Sequence, residues 1–175
     1  MSRKRIVVDT NVLIAANGND PEWISIAAKC ASRLKRTQKL ETVCIDDGQR
    51  IMREYRQHLP SNRKGFGDMF YIWLAQNQSN LQKCEQVRIT ALETDDTAFT
   101  ECPEVDDALS SQIDPSDRKF IAVANAHPEK PPILQATDSK WIGWKEGLAT
   151  VGIQIEFIDE KFLAPIYKKK MEKGD

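Results

Sequence analysis

Long apolar runs are missing from this sequence: no stretch approaches the ~20 consecutive apolar residues that a membrane-spanning helix needs. Residues 1–5 are basic, but they lead directly into three apolar residues and an acid, so the hydrophobic region of a secretory signal is missing too. We therefore expect a cytoplasmic protein that has no membrane partner.

Potential zinc ligands are also scarce, because the sequence has only two histidines, His58 and His127. None of its four cysteines forms a C-x-x-C pair; they are Cys30, Cys44, Cys84 and Cys102. A structural zinc site is therefore poorly supported. We expect reduced thiols in the core of a protein from a reducing compartment.

An excess of charge of either sign is absent as well, since the formal net charge of the 175 residues is −1. Overall charge therefore gives no indication of a nucleic-acid partner, although local basic patches remain compatible with one. The hydrophobic fraction of 41% and the charged fraction of 29% are those of an ordinary globular protein. We expect one domain over residues 1–166 and a basic, flexible tail over residues 167–175.

Segments typical of strands alternate with segments typical of helices along the chain. The predicted strands cover residues 5–9, 42–45, 87–89, 133–137 and 152–158, and the predicted helices cover residues 21–35, 48–59, 67–76, 115–127 and 140–148. Continuous apolar residues in the first strand indicate burial on both faces, whereas the alternation in 152–158 indicates an edge strand. The pattern predicts an α/β fold with three α/β/α layers and a central, mostly parallel sheet of four to five strands.

Three local expectations concern the boundaries of these elements. Pro60-Ser61-Asn62 is expected to end the second helix. Asp114 is expected to cap the helix that begins at Pro115. The acidic, Thr-rich residues 93–112 show little periodicity, so we assign them mostly to loop, with one helical turn.

Four acidic residues fall at places where they could meet. Asp9 and Asp138 each follow a predicted strand, and the carboxyl ends of parallel strands share one edge of the sheet. Glu54 lies at the margin of the buried face of its helix, and Asp117 lies in the first turn of another helix. Each acid also has an ordinary explanation: a turn or a helix cap for the aspartates, and a surface pair with Arg50 or His58 for Glu54.

Four carboxylates in one place would repel one another unless cations lay between them. Their oxygen atoms suit Mg²⁺ or Mn²⁺, which also bind phosphate oxygens. Two such ions ~4 Å apart can activate a water and stabilise the leaving oxygen at phosphorus. The set of four therefore predicts metal-dependent hydrolysis of phosphodiester bonds, without a side-chain nucleophile.

Four segments, residues 7–13, 47–55, 114–122 and 137–138, together resemble the motifs of PIN-domain nucleases, in the same order. The resemblance implies that Asp9, Glu54, Asp117 and Asp138 are catalytic, metal-binding acids, supported by Asn11 and Thr137. It further implies cleavage of single-stranded RNA. Many relatives are toxins that an antitoxin protein inhibits by covering the site, and a homodimer is also expected by resemblance. Residues 93–112 make this chain longer than the compact toxins and are expected to shape substrate access or an oligomer contact.

Several further residues border the predicted site. Asp114 could serve as a supporting or alternate ligand, and Arg118, Lys119 and Lys140 could bind phosphates or simply cover a solvated helix face. Trp141 and Trp144 could stack on a base, although tryptophans at this spacing are more often part of a core.

Other functions also fit parts of the pattern. A non-catalytic module could keep the fold and bind RNA or a protein in the same crevice, and a structure-specific DNA nuclease could use the same acids. A phosphatase with a nucleophilic aspartate fits less well, because it would need a second aspartate where Asn11 stands.

Overall fold

The computed structural model describes residues 2–59 and 64–174 and contains a five-stranded parallel sheet between helices. Its strands and those of a separate antiparallel hairpin are β1 (Lys4–Val8), β2 (Glu41–Asp46), β3 (Cys84–Val87), β4 (Ala91–Leu92), β5 (Asp95–Phe99), β6 (Ile133–Gln135) and β7 (Ile155–Phe157). The large sheet has the order β3-β2-β1-β6-β7, and β4 pairs with β5. The predicted three-layer α/β/α fold is confirmed.

The helices of the described residues are α1 (Thr10–Ala16), α2 (Ile24–Leu40), α3 (Arg50–His58), α4 (Phe66–Gln76), α5 (Asp107–Gln112), α6 (Arg118–Ala126), α7 (Lys140–Thr150) and α8 (Glu160–Glu172). Helices α1, α2 and α4 pack on one another, whereas α6 packs across β1, β2 and β6. Within residues 2–59 and 64–174, none of the helices is both long and apolar enough to span a bilayer.

Strand β1 lies in the middle of the sheet, and its apolar residues determine that position. Ile6, Val7 and Val8 are completely buried, as their uninterrupted apolar pattern predicted. From β1 the chain adds β2 and β3 on one side and later returns to add β6 and β7 on the other. Because the winding reverses between β1 and β6, a crevice is expected at the carboxyl ends of these two strands.

Most predicted elements are present, with shifted boundaries. Strand β7 lies at an edge of the sheet, as predicted, while β3 ends at Val87 where the prediction had a strand beginning. Helix α2 continues to Leu40, beyond the predicted end at 35. Helix α3 ends at His58, and Pro60-Ser61-Asn62, which were expected to end it, lie outside the described residues.

Residues 93–112 differ most from the prediction, which was mostly loop with one helical turn. They contain the short helix α5, which agrees with the helical turn, and also β5, which forms an unpredicted hairpin with β4. Phe99 is the residue of β5 that is buried, so the strand shows no alternation of apolar and polar residues. A local side chain stabilises the hairpin instead: the Asp95 carboxylate accepts hydrogen bonds from the backbone and hydroxyl of Thr97.

Three further differences from the prediction concern helices. Residues 10–14, where no helix was predicted, form most of α1. Helix α6 begins at Arg118, because Pro115–Asp117 form a turn and the Asp114 carboxylate pairs with Lys140 instead of capping the helix. Helix α8 extends into the predicted tail as far as Glu172, and the lysines of the tail are exposed, whereas the flexibility of the tail stays a prediction.

Candidate metal site

The four predicted acids come from four separate segments of the chain. Asp9 follows β1 directly and Asp138 lies three residues after β6, so both stand at the crevice where the winding reverses. Glu54 projects from α3, and Asp117 directly precedes α6. The negative charges of Glu54 and Asp138 raise the pKa of Asp9, and those of Asp9 and Asp138 raise the pKa of Asp117. The fold therefore brings the four acids into one electrostatic cluster, which we call the acid cluster.

Asp9 is held in place by three hydrogen bonds. Its Oδ1 accepts from the backbone N of Asn11 at 3.0 Å and from Asn11 Nδ2 at 2.9 Å, and its Oδ2 accepts from Gln135 Nε2 at 2.8 Å. Burial raises the pKa of Asp9 to about 6, although the bonds from Asn11 and Gln135 oppose this shift. A carboxylate offers about four acceptor positions, so Asp9 keeps about one for another ligand.

Asn11 connects the two sides of the crevice, consistent with its predicted supporting place. Its Nδ2 also donates to Gln135 Oε1 at 2.6 Å, and its Oδ1 accepts from the backbone N atoms of Ala136 and Thr137 at 2.9 and 3.2 Å. Thr137 thus takes part through its backbone. The side chain of Gln135 was not anticipated, although a glutamine inside the apolar stretch of β6 was a visible signal.

Glu54 lies next to a buried lysine. Lys119 Nζ forms an ion pair with Glu54 Oε2 and also donates to the backbone oxygen of Ser116. The second oxygen of Glu54 accepts from Thr10 Oγ1 at 2.5 Å, a contact that the sequence did not suggest. The ordinary alternative, pairing of Glu54 with Arg50 or His58, is not realised, because Arg50 pairs with Asp46 and Glu54 turns toward Lys119.

Asp117 has the most unusual environment of the four acids. Its exposed fraction is 9%, and in the part of the chain that the structure describes no hydrogen-bond donor contacts its carboxylate. Burial, together with the charges of Asp9, Asp138 and Asp114, raises the pKa of Asp117 to about 8, while Lys119 opposes the shift. Its two oxygen atoms are not among the buried side-chain atoms of the described residues that lack a partner, so the carboxylate remains accessible to water or to an ion. A raised pKa together with an accessible, unbonded carboxylate is typical of a ligand-binding acid.

Asp138 and Asp114 lie at the rim of the acid cluster. Asp138 Oδ1 accepts from the backbone N of Lys140 at 3.1 Å, and Asp114 Oδ2 pairs with Lys140 Nζ at 2.6 Å. Arg118 Nη1 lies 3.3 Å from Asp95 Oδ2. Each of the three basic residues predicted to bind phosphate, Arg118, Lys119 and Lys140, therefore has a carboxylate partner in this structure.

Trp141 and Trp144 belong to the core and do not form a surface for a base. Their exposed fractions are 0% and 2%, and their ring centroids are 5.0 Å apart. The more ordinary of the two predictions for this pair is thus confirmed.

A separate cluster brings three other potential metal ligands together, namely Cys44, Glu85 and His127, with ligand atoms within 4.8 Å of one another. His127 Nδ1 accepts from the backbone N of Glu129 at 3.0 Å, so the ring proton lies on Nε2, which donates to Glu85 Oε1 at 3.1 Å. Burial also raises the pKa of the Cys44 thiol to about 12. His127 and Glu85 thus bond to one another beside a buried thiol.

The acid cluster is wider than a closed metal cage. Over residues 2–59 and 64–174, no three of its acids bring oxygen atoms within 4.8 Å of one another. An open set of carboxylates suits Mg²⁺ and Mn²⁺, because these ions keep several waters and bind through few protein oxygens. Asp117 without a donor and Asp9 with a remaining acceptor position are the atoms best placed to bind such an ion.

Comparisons with protein-family models, with curated proteins and with solved structures give no significant match for this chain. The function has therefore to be inferred from the chemistry of its own residues.

Proposed function

We propose that the chain is a divalent-metal-dependent endoribonuclease that hydrolyses phosphodiester bonds of single-stranded RNA at the acid cluster. The observation that supports this most is Asp117, a largely buried residue whose carboxylate accepts no hydrogen bond from the described residues and whose pKa is raised to about 8. The fold keeps this uncompensated acid next to three others. Perturbed acids gathered in a crevice are typical of functional sites.

The donor set fits Mg²⁺ or Mn²⁺. Asp9, Glu54, Asp117 and Asp138 offer carboxylate oxygen, the ligand type that these hard cations prefer. When bound, such a cation would neutralise charge on the phosphate and favour ionisation of a nearby water. Asp9 and Asp117 would hold it most directly, because both have acceptor positions that no protein donor fills.

The chain's own residues prepare the site in three ways. Asn11 and Gln135 fix the plane of the Asp9 carboxylate, so that it does not need to reorganise when a ligand arrives. Thr10 and Lys119 fix Glu54 in the same manner. Asp117, whose carboxylate accepts no hydrogen bond from the described residues, can orient the attacking water, and Lys119 brings a positive charge next to Glu54.

RNA as the substrate, an inhibitory antitoxin and a homodimer rest on the resemblance to PIN-domain nucleases. Hydrolysis of a phosphodiester rests on the acid cluster itself. A non-catalytic module is less well supported. The fold keeps four acids close together, and their proximity and burial raise the pKa values of Asp9 and Asp117, which disfavours their charged forms.

A cleavage assay on unstructured single-stranded RNA and single-stranded DNA tests the proposal. With Mn²⁺ or Mg²⁺ the wild-type protein should cut internal bonds of the RNA, and with a chelator it should not. The matched variant Asp107→Asn changes an exposed aspartate of α5 and should keep wild-type activity. Cleavage confined to DNA would replace the proposed substrate, and absence of cleavage with either metal would contradict the nuclease assignment.

A further inference from the structure

A cleft of about 240 Å³ lies directly beside the acid cluster. It is bounded by α3, by the β4–β5 hairpin and by the turn before α6. Glu54 belongs to both the cleft and the acid cluster, and its partner Lys119 also lines the cleft. We call it the arginine cleft, and the lining residues used below are Arg50, Arg53, Glu54, Thr97, Phe99 and Lys119. A strand bound with one phosphate at the acids would therefore have its neighbouring nucleotide in or near this cleft.

Arg50 is fixed in position before any ligand arrives. Its Nη1 lies 3.4 Å from Asp46 Oδ2, and its guanidinium carbon lies 5.3 Å from the centroid of the Phe99 ring. Gly48 leaves the space for this arrangement, since a Cβ there would lie 2.1 Å from Arg50 Nη1. An arginine has five N–H donors, so one contact with Asp46 leaves most of them for an anion.

Arg53 adds a positive charge to the cleft, which the acids Glu54 and Asp96 also line. Its side chain is exposed, and its Nη2 donates to the backbone oxygen of Gly48 at 3.3 Å. Among residues 2–59 and 64–174, no carboxylate forms an ion pair with Arg53. By contrast, Arg118 and Lys140 are paired with Asp95 and Asp114. Of the basic residues discussed at this site, Arg53 is thus the one without a carboxylate partner among the described residues.

We propose that the arginine cleft binds a backbone phosphate of a single-stranded RNA, next to the phosphate that is cut at the acid cluster. Arg50 and Arg53 are the phosphate-binding residues. This inference rests on the proposed function for the identity of the strand. It concerns a phosphate and not a base, because Phe99 is only 6% exposed and its ring is covered by Arg50. Binding at this subsite should therefore depend little on nucleotide sequence.

The hairpin gives residues 93–112 a specific place in this subsite. Thr97 and Phe99 of β5 form the wall of the cleft that faces α3. The earlier expectation that this segment shapes substrate access thus becomes a concrete one: part of it lines the cleft together with the two arginines.

Binding of a labelled single-stranded RNA in the presence of a chelator tests the subsite without cleavage. The variant is Arg53→Gln, and the matched control is Arg56→Gln, which changes an exposed arginine of the same helix that does not line the cleft. Each phosphate contact contributes about 0.7 to the slope of log affinity against log salt for a single strand. We expect Arg53→Gln to lower that slope by about 0.7 and Arg56→Gln to leave it unchanged.

Cleavage kinetics with Mn²⁺ provide the second measurement. Arg53→Gln should raise KM several-fold with little change in kcat, because the contact lies outside the reacting atoms. Arg50→Lys should also raise KM, since lysine lacks the planar arrangement of N–H donors that arginine offers to a phosphate.

The outcomes separate this inference from the proposed function. The subsite would be overturned if Arg53→Gln had the salt dependence and KM of wild type. It would also be overturned if Arg56→Gln lowered the salt slope as much as Arg53→Gln, or if the wild-type protein bound no RNA. If only Arg53→Gln lowered the salt slope of RNA binding, and the wild-type protein cleaved no RNA, the subsite would stand and the proposed nuclease activity would be rejected.

Discussion

Asp9 and Asp117 are both buried aspartates of one cluster, yet their surroundings differ sharply. Asp9 accepts three hydrogen bonds and its pKa rises to about 6, whereas Asp117 accepts none from the described residues and its pKa rises to about 8. Burial raises both pKa values; at Asp9 the bonds from Asn11 and Gln135 oppose the rise, whereas at Asp117 the charges of neighbouring aspartates add to it. The Asp9 carboxylate is thus already oriented for binding a metal ion, and Asp117 is the acid whose charged form a bound cation would stabilise most.

Gln135→Met tests whether the hydrogen bonds around Asp9 matter for function. Gln135 is completely buried, and its loss would leave Asp9 Oδ2 without its donor and Asn11 Nδ2 without one acceptor. We expect the affinity for Mn²⁺ and the cleavage rate to fall by about 10–100-fold, as for other residues that orient metal ligands. The free energy of unfolding should fall by about 1–3 kcal/mol, because buried polar groups lose their hydrogen-bond partners.

Titration calorimetry measures the Mn²⁺ affinity, a cleavage assay measures the rate, and chemical denaturation measures the free energy of unfolding. Gln154→Met, which changes an exposed glutamine, is the control and should leave all three near wild type. A loss of stability in Gln135→Met without any change in Mn²⁺ affinity would assign this residue a purely structural role.

Among the helices, α1 depends on a close approach to α4. A Cβ on Gly67 would lie 1.9 Å from the backbone oxygen of Leu13, so only glycine fits between these two helices without movement. Because α1 begins at the Asp9 cap and contains Asn11, a displacement of this helix would also displace part of the acid cluster.

Gly67→Ala should therefore lower the free energy of unfolding by about 1–3 kcal/mol, the usual cost of forcing extra volume into a packed region. Gly147→Ala is the matched change, because there the new Cβ would meet the Cδ2 atom of Leu109, the end of a side chain that can turn away. We expect Gly147→Ala to be nearly neutral, since alanine also favours the helix. Denaturant unfolding of both variants measures this, and equal effects would rule out the backbone contact as the cause.

Elements with a strong apolar pattern were predictable, and elements stabilised by single polar contacts were not. β1 and β7 were placed correctly from burial and alternation. Helix α1 was missed because a polar turn and the Asp9 cap look alike in sequence. The cap at Asp114 was wrong because a distant partner, Lys140, takes its carboxylate.

The same distinction holds for the acid cluster. The meeting of its four acids followed from parallel strands sharing one edge, together with the resemblance to a nuclease family. Gln135 and Thr10 were not identified, because they bond to residues 126 and 44 positions away. No periodic pattern encodes such pairs, so only the folded chain reveals them.

For the protein as a unit, the acid cluster couples folding to pH. The pKa of Asp9 is raised to about 6 and that of Asp117 to about 8, from an ordinary value of 3.8, mainly by burial. An unfolded chain ionises these groups near pH 4, so folding takes up protons between about pH 4 and pH 8. Their contribution to stability is complete below about pH 4 and is lost as the pH rises through 6 and then 8.

In the presence of a chelator, the free energy of unfolding should therefore fall between about pH 5 and pH 8. A drop of at least about 1 kcal/mol is expected, since one pKa unit corresponds to about 1.4 kcal/mol. Asp117→Asn removes the larger shift and should flatten the profile, whereas Asp107→Asn should keep the wild-type slope. Denaturant unfolding across this range gives the values, and a wild-type profile that stays level or rises would contradict the burial of uncompensated acids.

The rate at which Asp9→Asn cleaves an unstructured single-stranded RNA at saturating Mn²⁺ decides whether the acid cluster is a nuclease site. Wild-type protein should cleave with Mn²⁺ and stop with a chelator, and Asp9→Asn should be slower by at least about 100-fold, or about 2.7 kcal/mol of barrier. Its circular dichroism should match wild type, because asparagine fills the same space. Cleavage by folded Asp9→Asn at the wild-type rate would show that the acid cluster does not perform the reaction.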